Sequence, residues 1–344
     1  MFRFRSSQLK HRLPILFYLC LLITVSFALL KFQAAAKVER VQARSSSVAK
    51  GNPESEPVRY ASRFVTVDGT RLHYIMQGTG QPVVLIHGNP GSAQDWLPVL
   101  NLLAARHKVI AFDRLGHGHS DRPKHGDATV EVQAQLIHGA LAQLHVERPI
   151  VVGHSWAAAL ALDYAMSYPK EVAGILVVAP AVYEDNDDGS FLTGMTTVPV
   201  IGDAANFMLT PLLAPSVIRS ELKKAFSPDA VPDAYLRAAL AEWSKPSHVR
   251  AYAVDVETFN PSLRKLTPHY SEIQAPLSIL AGDSDLVVSG KENAVRLHDE
   301  LPKSRLIVLP RTGHEIPYTR PKAVVSEIER LQRLSHSSFW GFAG

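Results

Sequence analysis

Cysteine is almost absent from this chain of 344 residues. The one copy, Cys20, sits in an apolar run, so no disulfide can form within the chain and a disulfide-framework class is excluded. It lacks the small preceding residues of a lipoprotein cleavage site and reads as apolar filler. No Asn begins an N-x-[ST] acceptor with x other than Pro. There is no HExxH, no P-loop and no complete G-x-G-x-x-G after a strand pattern, so neither a metal nor a nucleotide cofactor is expected. A surplus of one charge sign is missing from the body as well. Five of the 36 Lys and Arg fall within residues 1–36, which hold no acid. The other 308 residues carry 31 basic and 32 acidic groups, leaving no electrostatic reason to bind nucleic acid. What is abundant is apolar surface, at 46% hydrophobic residues, enough to exclude a disordered chain.

The apolar content begins with Leu13–Leu30, 18 residues without a charge. As a helix they would reach ~27 Å, close to the ~30 Å hydrocarbon core of a bilayer. Arg3, Arg5, Lys10 and Arg12 precede the run and favour a cytoplasmic N-terminus, although Lys31, Lys37, Arg40 and Arg44 blunt that asymmetry. Two readings stay open. In one, residues 1–36 are a retained membrane anchor, with the body on the periplasmic or extracytoplasmic side. In the other they are a signal peptide cleaved near Ala36 at an A-x-A site, releasing a secreted protein. Residues 37–57, rich in Ser, Ala and charge, read as a polar linker.

From residue 58 to about 335 the pattern is α/β. RFVTVDG (63–69) and RLHYIMQG (71–78) flank an Asp-Gly turn and predict a hairpin. The apolar runs at 82–88, 108–113, 149–155, 174–181, 277–283 and 305–310 predict strands of a mostly parallel sheet with helices on both faces. The alternation stops at about 182–270, a stretch that reads as helices inserted over one edge of the sheet. Its aromatics Phe191, Phe207, Phe226, Tyr235 and Trp243 are expected to form the insertion's own core. Residues 336–344 read as a C-terminal tail.

The chemistry-bearing residues fall at strand ends. Gly153–Ala157 (GHSWA) lies between a buried strand and an Ala-rich helix, the setting of a nucleophile elbow that would present Ser155 at a helix N-terminus. Serine attack needs an acid and then a histidine, in that chain order. GDSD and GTGH supply them: Asp285, in the loop past the strand, is preferred to Asp283 as the orienting acid, and His314 is the expected general base. HGNPGSAQDW (87–96) follows an earlier strand. Because Pro90 has no N–H, the loop's oxyanion donor is assigned to the Asn89 backbone, with the Trp156 N–H as the second. His87, His117, His119 and His154 could gather near one another, but H-x-H in a Gly-rich loop is not a metal signature.

HGNP, DRLGHGHSDRP (113–123), GHSWA, GDSD and GTGH, in this order over roughly residues 60–335, resemble the α/β-hydrolase superfamily. More narrowly they are similar to the capped branch of epoxide hydrolases, haloalkane dehalogenases, perhydrolases and small-molecule esterases. The resemblance implies an α/β-hydrolase fold with a helical lid at about 182–270. One departure matters: epoxide hydrolases and dehalogenases carry aspartate where this chain has Ser155. A serine suits acyl carbon, so the expected activity is a carboxylesterase-like serine hydrolase acting on a small or medium apolar ester without a cofactor. Monoacylglycerol or lysolipid lipase, acyltransferase and C–C bond hydrolase remain alternatives, as does a non-catalytic binding module on the same fold.

Overall fold

A computed structural model describes residues 60–122, 128–184 and 201–340; the apolar segment at 13–30 and the linker lie outside the described residues. Among the described residues no helix is long and apolar enough to cross a membrane.

The sheet begins with β1 (Ser62–Val67) and β2 (Thr70–Gln77), joined by the expected tight turn. Asp68 and Gly69 both have positive φ, 48° and 78°, the backbone that a two-residue hairpin matched to strand twist requires. The remaining strands are β3 (Gln81–Ile86), β4 (His107–Phe112), β5 (Ile150–His154), β6 (Gly174–Val178), β7 (Leu277–Gly282) and β8 (Arg305–Leu309). Their order is β1-β2-β4-β3-β5-β6-β7-β8. Pairing is antiparallel from β1 to β2 and from β2 to β4, and parallel across the rest. Every residue of β5, β6 and β7 is buried, because helices cover both faces. That burial is why these strands read as unbroken apolar runs rather than as alternation.

On one face lie α1 (Leu97–Leu103) and the last helix; on the other lie α2 (Val130–Gln143) and α3 (Ala157–Ser167). Thr129 caps α2, accepting from the Val132 N–H. Helix α3 is buried at nearly every position, and its small side chains let it approach the sheet closely. The insertion between β6 and β7 contains α4 (Ile201–Phe226), α5 (Asp233–Trp243) and α6 (Pro246–Leu266). Phe226 and Tyr235 lie 5.0 Å apart, ring to ring, in a cluster of their own with Trp243 against it. Phe191 and the side chain of Phe207 fall outside the described residues.

Past β7 the chain forms a wide turn at 291–295, then α7 (Arg296–Glu300), and after β8 the short α8 (Ile316–Thr319) and α9 (Pro321–Trp340). The last helix runs on to Trp340, because no Gly or Pro follows Pro321 until Gly341.

Candidate active site

Ser155 occupies the turn from β5 into α3 with φ +53°, a left-handed backbone that a residue with a Cβ adopts only under constraint. Three backbone bonds supply that constraint. The Ser155 N–H donates to Val178 O (2.9 Å), while its carbonyl accepts from Ala158 (2.9 Å) and Ala181 (3.2 Å). Gly153 is needed two residues earlier, since a Cβ there would collide with the Ala157 carbonyl. Gly88 brings the 87–91 loop close: a Cβ on it would stand 3.1 Å from the Ser155 Cβ. No acceptor among the described residues takes the backbone N–H of Asn89 or of Trp156, the two donors expected from the sequence. Trp156 begins the first turn of α3, so its N–H belongs to the positive end of that helix.

His314 follows β8 and Asp285 follows β7. The structure brings them together, with His314 Nδ1 2.7 Å from Asp285 Oδ2 and both side chains buried. The other Asp285 oxygen accepts the N–H groups of Val287 (2.8 Å) and Val288 (2.9 Å). Asp283 goes elsewhere, taking the Ser284 hydroxyl at 2.7 Å on the exposed side. Burial would raise the Asp285 pKa, but His314 and the two N–H donors outweigh it and hold the carboxyl below its ordinary range. Burial likewise opposes a charge on His314. The Asp285 carboxylate and its hydrogen bond prevail and hold the imidazole above its ordinary value. Nδ1 is occupied by Asp285, which leaves Nε2 as the ring nitrogen without a partner among the described residues. The His314 loop is tied to the elbow, because its carbonyl lies 3.0 Å from His154 Nε2. It is tied to the insertion too, where Ala225 O accepts the N–H groups of His314 (2.8 Å) and Glu315 (3.1 Å).

Several residues in this region carry no local sequence signal. Glu315 is buried beside His314, and burial pushes its carboxyl up to about 6. Asp95, half-buried nearby, is also raised, first by desolvation and then by the charge of Glu315. Asn89 Oδ1 and Trp156 Nε1 are buried without a partner among the described residues. Arg114 is fully buried against the 87–91 loop; only its place in the DRLG run could have drawn notice. Of the four histidines considered together, His87 and His117 pack edge to face with ring centroids 5.4 Å apart, His119 packs against His73, and His154 bonds the His314 carbonyl. Among the described residues no group of three or more His, Cys, Asp or Glu could hold a metal.

A second Ser-His-Asp series also exists. Ser62 Oγ lies 2.6 Å from His73 Nε2, and His73 Nδ1 lies 2.7 Å from Asp113 Oδ2. It differs in setting. Ser62 opens the edge strand β1 rather than a strand-helix turn, and Asp113 also accepts the N–H groups of Ala93 (2.7 Å) and His119 (2.8 Å).

Known proteins of similar sequence and shape place this arrangement in context. An uncharacterized protein of Mycobacterium tuberculosis is 27% identical over 279 residues, covering 78% of this chain and 80% of its own. A 2-hydroxy-6-oxo-6-phenylhexa-2,4-dienoate hydrolase of Burkholderia cepacia is 24% identical over 264 residues, 74% of this chain and 90% of that relative. The crystal structure of an alpha/beta hydrolase fold protein from Burkholderia ambifaria superposes with a TM-score of 0.68 at 24% identity, over 78% of this chain and 99% of that one. Residues 81–321 match the family model described as alpha/beta hydrolase fold, and the chain belongs to that family.

Proposed function

We propose that the protein is a serine hydrolase that cleaves ester-type acyl bonds of a small or medium, largely apolar substrate. The observation that carries this reading is Ser155, held at φ +53° on a strand-helix elbow, in the same fold as a His314–Asp285 pair at 2.7 Å. Ser155 Oγ attacks the carbonyl carbon and its proton passes to His314 Nε2. Asp285 keeps the Nδ1–H tautomer that leaves Nε2 free to accept. The carbonyl oxygen, now an oxyanion, is received by the Asn89 N–H of the 87–91 loop and the Trp156 N–H at the N-terminus of α3; one such donor contributes ~3–4 kcal/mol to the transition state. Collapse expels the alcohol with the proton from His314. Water then repeats the sequence on the acyl-enzyme and releases the acid. The insertion helices, acting as a lid, select the substrate.

Serine rather than aspartate at position 155 favours acyl over alkyl carbon. An alkyl halide or epoxide would leave a serine ether that water activated by His314 cannot hydrolyse. C–C bond hydrolysis is the second reading, supported by the similarity to the Burkholderia cepacia hydrolase. The segment at Leu13–Leu30 extends the proposal to membrane attachment on the extracytoplasmic side, which would make a monoacylglycerol or lysolipid a further candidate.

The test is turnover of p-nitrophenyl esters of graded acyl length beside 1-chlorobutane and styrene oxide, by the full chain and by Ser155→Ala. The expected result is ester hydrolysis that disappears in Ser155→Ala. Serine-dependent turnover of the halide or epoxide with no ester hydrolysed would overturn the reading. Loss of all turnover in both proteins would favour a binding module.

A further inference from the structure

Helix α6 of the insertion runs along the loop that carries Asn89. His248, Tyr252 and Asp255 are spaced four and three residues apart and so share one face of the helix. Each meets a successive part of the loop. His248 stands close to the Gly91 backbone, and the Tyr252 carbonyl accepts from Asn89 Nδ2 at 3.4 Å. Asp255 reaches the other end through Arg114. The Arg114 guanidinium is wholly buried and directs four donors at fixed points. NH1 gives one bond to Asp255 Oδ2 (2.8 Å) and one to Gln133 (3.0 Å), Nε donates to His87 O (3.0 Å), and NH2 donates to Gly88 O (2.9 Å). The same group lies 4.1 Å over the Trp156 ring. One planar cation therefore touches both residues that flank the oxyanion position: the peptide preceding Asn89, and the side chain of Trp156. Asp255, also fully buried, completes its shell with Arg122 NH2 on Oδ1 (2.7 Å) and His117 Nε2 near Oδ2 (2.9 Å).

We propose that Arg114 and Asp255 are positioning residues for the oxyanion hole, and that through them the docking of α6 sets the two N–H donors in register. This rests on the Asn89 and Trp156 assignment above. The insertion then does more than cover the site, since the donors keep their spacing only while α6 is seated on the loop. A lysine cannot replace Arg114 here, because a single ammonium lacks the fork that spans two carbonyls and a carboxylate.

A merely structural ion pair would have a different signature. Replacing a buried pair with apolar residues of similar size is commonly neutral for stability, so the double variant Arg114→Met with Asp255→Leu separates folding from positioning. Arg122 in that variant keeps its bond to Ala251 O (2.9 Å) and its partial exposure. The experiment uses the full chain and measures kcat and KM per titrated active site on a p-nitrophenyl ester, thermal stability, and inhibition by a trifluoromethyl ketone and by the product alcohol. Expected for both Arg114→Lys and the double variant is a fall in kcat of roughly 100-fold, with KM within about threefold. Affinity for the ketone, which forms an oxyanion on the serine, should fall in parallel, while affinity for the alcohol stays unchanged. A double variant with wild-type stability and wild-type kcat would overturn the inference, as would a loss confined to KM. If Arg114→Lys does not fold, the double variant alone decides. The Ser155→Ala enzyme is run alongside. Activity there would refute the underlying reading, whereas an inactive Ser155→Ala beside unaffected Arg114 variants would refute this inference alone.

Discussion

Replacing Asp285 with asparagine changes one atom and, on this structure, reverses the polarity of the site. The two oxygens of Asp285 are committed differently, Oδ1 to the N–H groups of Val287 and Val288 and Oδ2 to His314 Nδ1. An asparagine has one acceptor oxygen. The two backbone donors, at 2.8 and 2.9 Å, compel that oxygen to stay with them, since an NH2 group facing two N–H groups would leave three donors without an acceptor. The NH2 group therefore faces His314. The imidazole must accept at Nδ1, which puts its proton on Nε2 and removes the base for Ser155. The geometry of the site survives while its tautomer is wrong. The loss expected for that change is about ten-thousand-fold in kcat, or ~5 kcal/mol of transition-state stabilisation, with KM little altered. The assay is ester hydrolysis per titrated site at several pH values, beside Asp283→Asn, whose exposed carboxylate bonds Ser284 and should matter less than twofold by order of magnitude. A fall of less than tenfold for Asp285→Asn, or a larger fall for Asp283→Asn, would refute the reasoning.

Four further outcomes are expected. Glu315 is raised to about 6 from an ordinary value near 4.5, so the folded state holds its proton more tightly than the unfolded state. Its contribution is present below about pH 4.5 and lost as pH rises through 6. Glu315→Gln should therefore be more stable than wild type by up to ~2 kcal/mol at pH 8, with the difference vanishing toward pH 4 in urea titrations. The same variant removes a charge that raises His314, so the acidic limb of its kcat/KM profile should move to lower pH; a shift the other way would contradict the electrostatic reading. Ser62→Ala should leave kcat within about twofold despite the Ser62-His73-Asp113 series, because that serine has neither an elbow nor a helix N-terminus beneath it. If Leu13–Leu30 is a retained anchor, the mature full chain keeps its N-terminus and resists carbonate extraction from membranes; a soluble species beginning near Lys37 would establish cleavage instead.

The strands and the elbow were legible because their signals are local. Strands buried on both faces, such as β5 and β6, appear as short apolar runs, and a strained turn demands small residues at 153 and 157, where the chain has Gly and Ala. The position of Asp285, three residues past its strand rather than at the strand's edge, was enough to prefer it over Asp283. The order of strands in the sheet was not readable, since β4 pairs between β2 and β3 by contacts that leave no periodic trace. Nor was the Arg114–Asp255 pair, whose members lie 141 residues apart. Each looks like an ordinary surface charge until α6 is seated on the 87–91 loop. Glu315 was hidden in the same way, because a carboxylate next to a loop histidine reads as solvated until Ala225 O takes its backbone N–H from the insertion side.

A fluorophosphonate probe tests most directly whether Ser155 acts as a covalent nucleophile. Applied to the folded full chain, followed by peptide mass spectrometry, it should modify Ser155 at one equivalent per chain and abolish ester hydrolysis in proportion. Modification that persists in Ser155→Ala, or folded and active enzyme that the probe never modifies, would contradict that role.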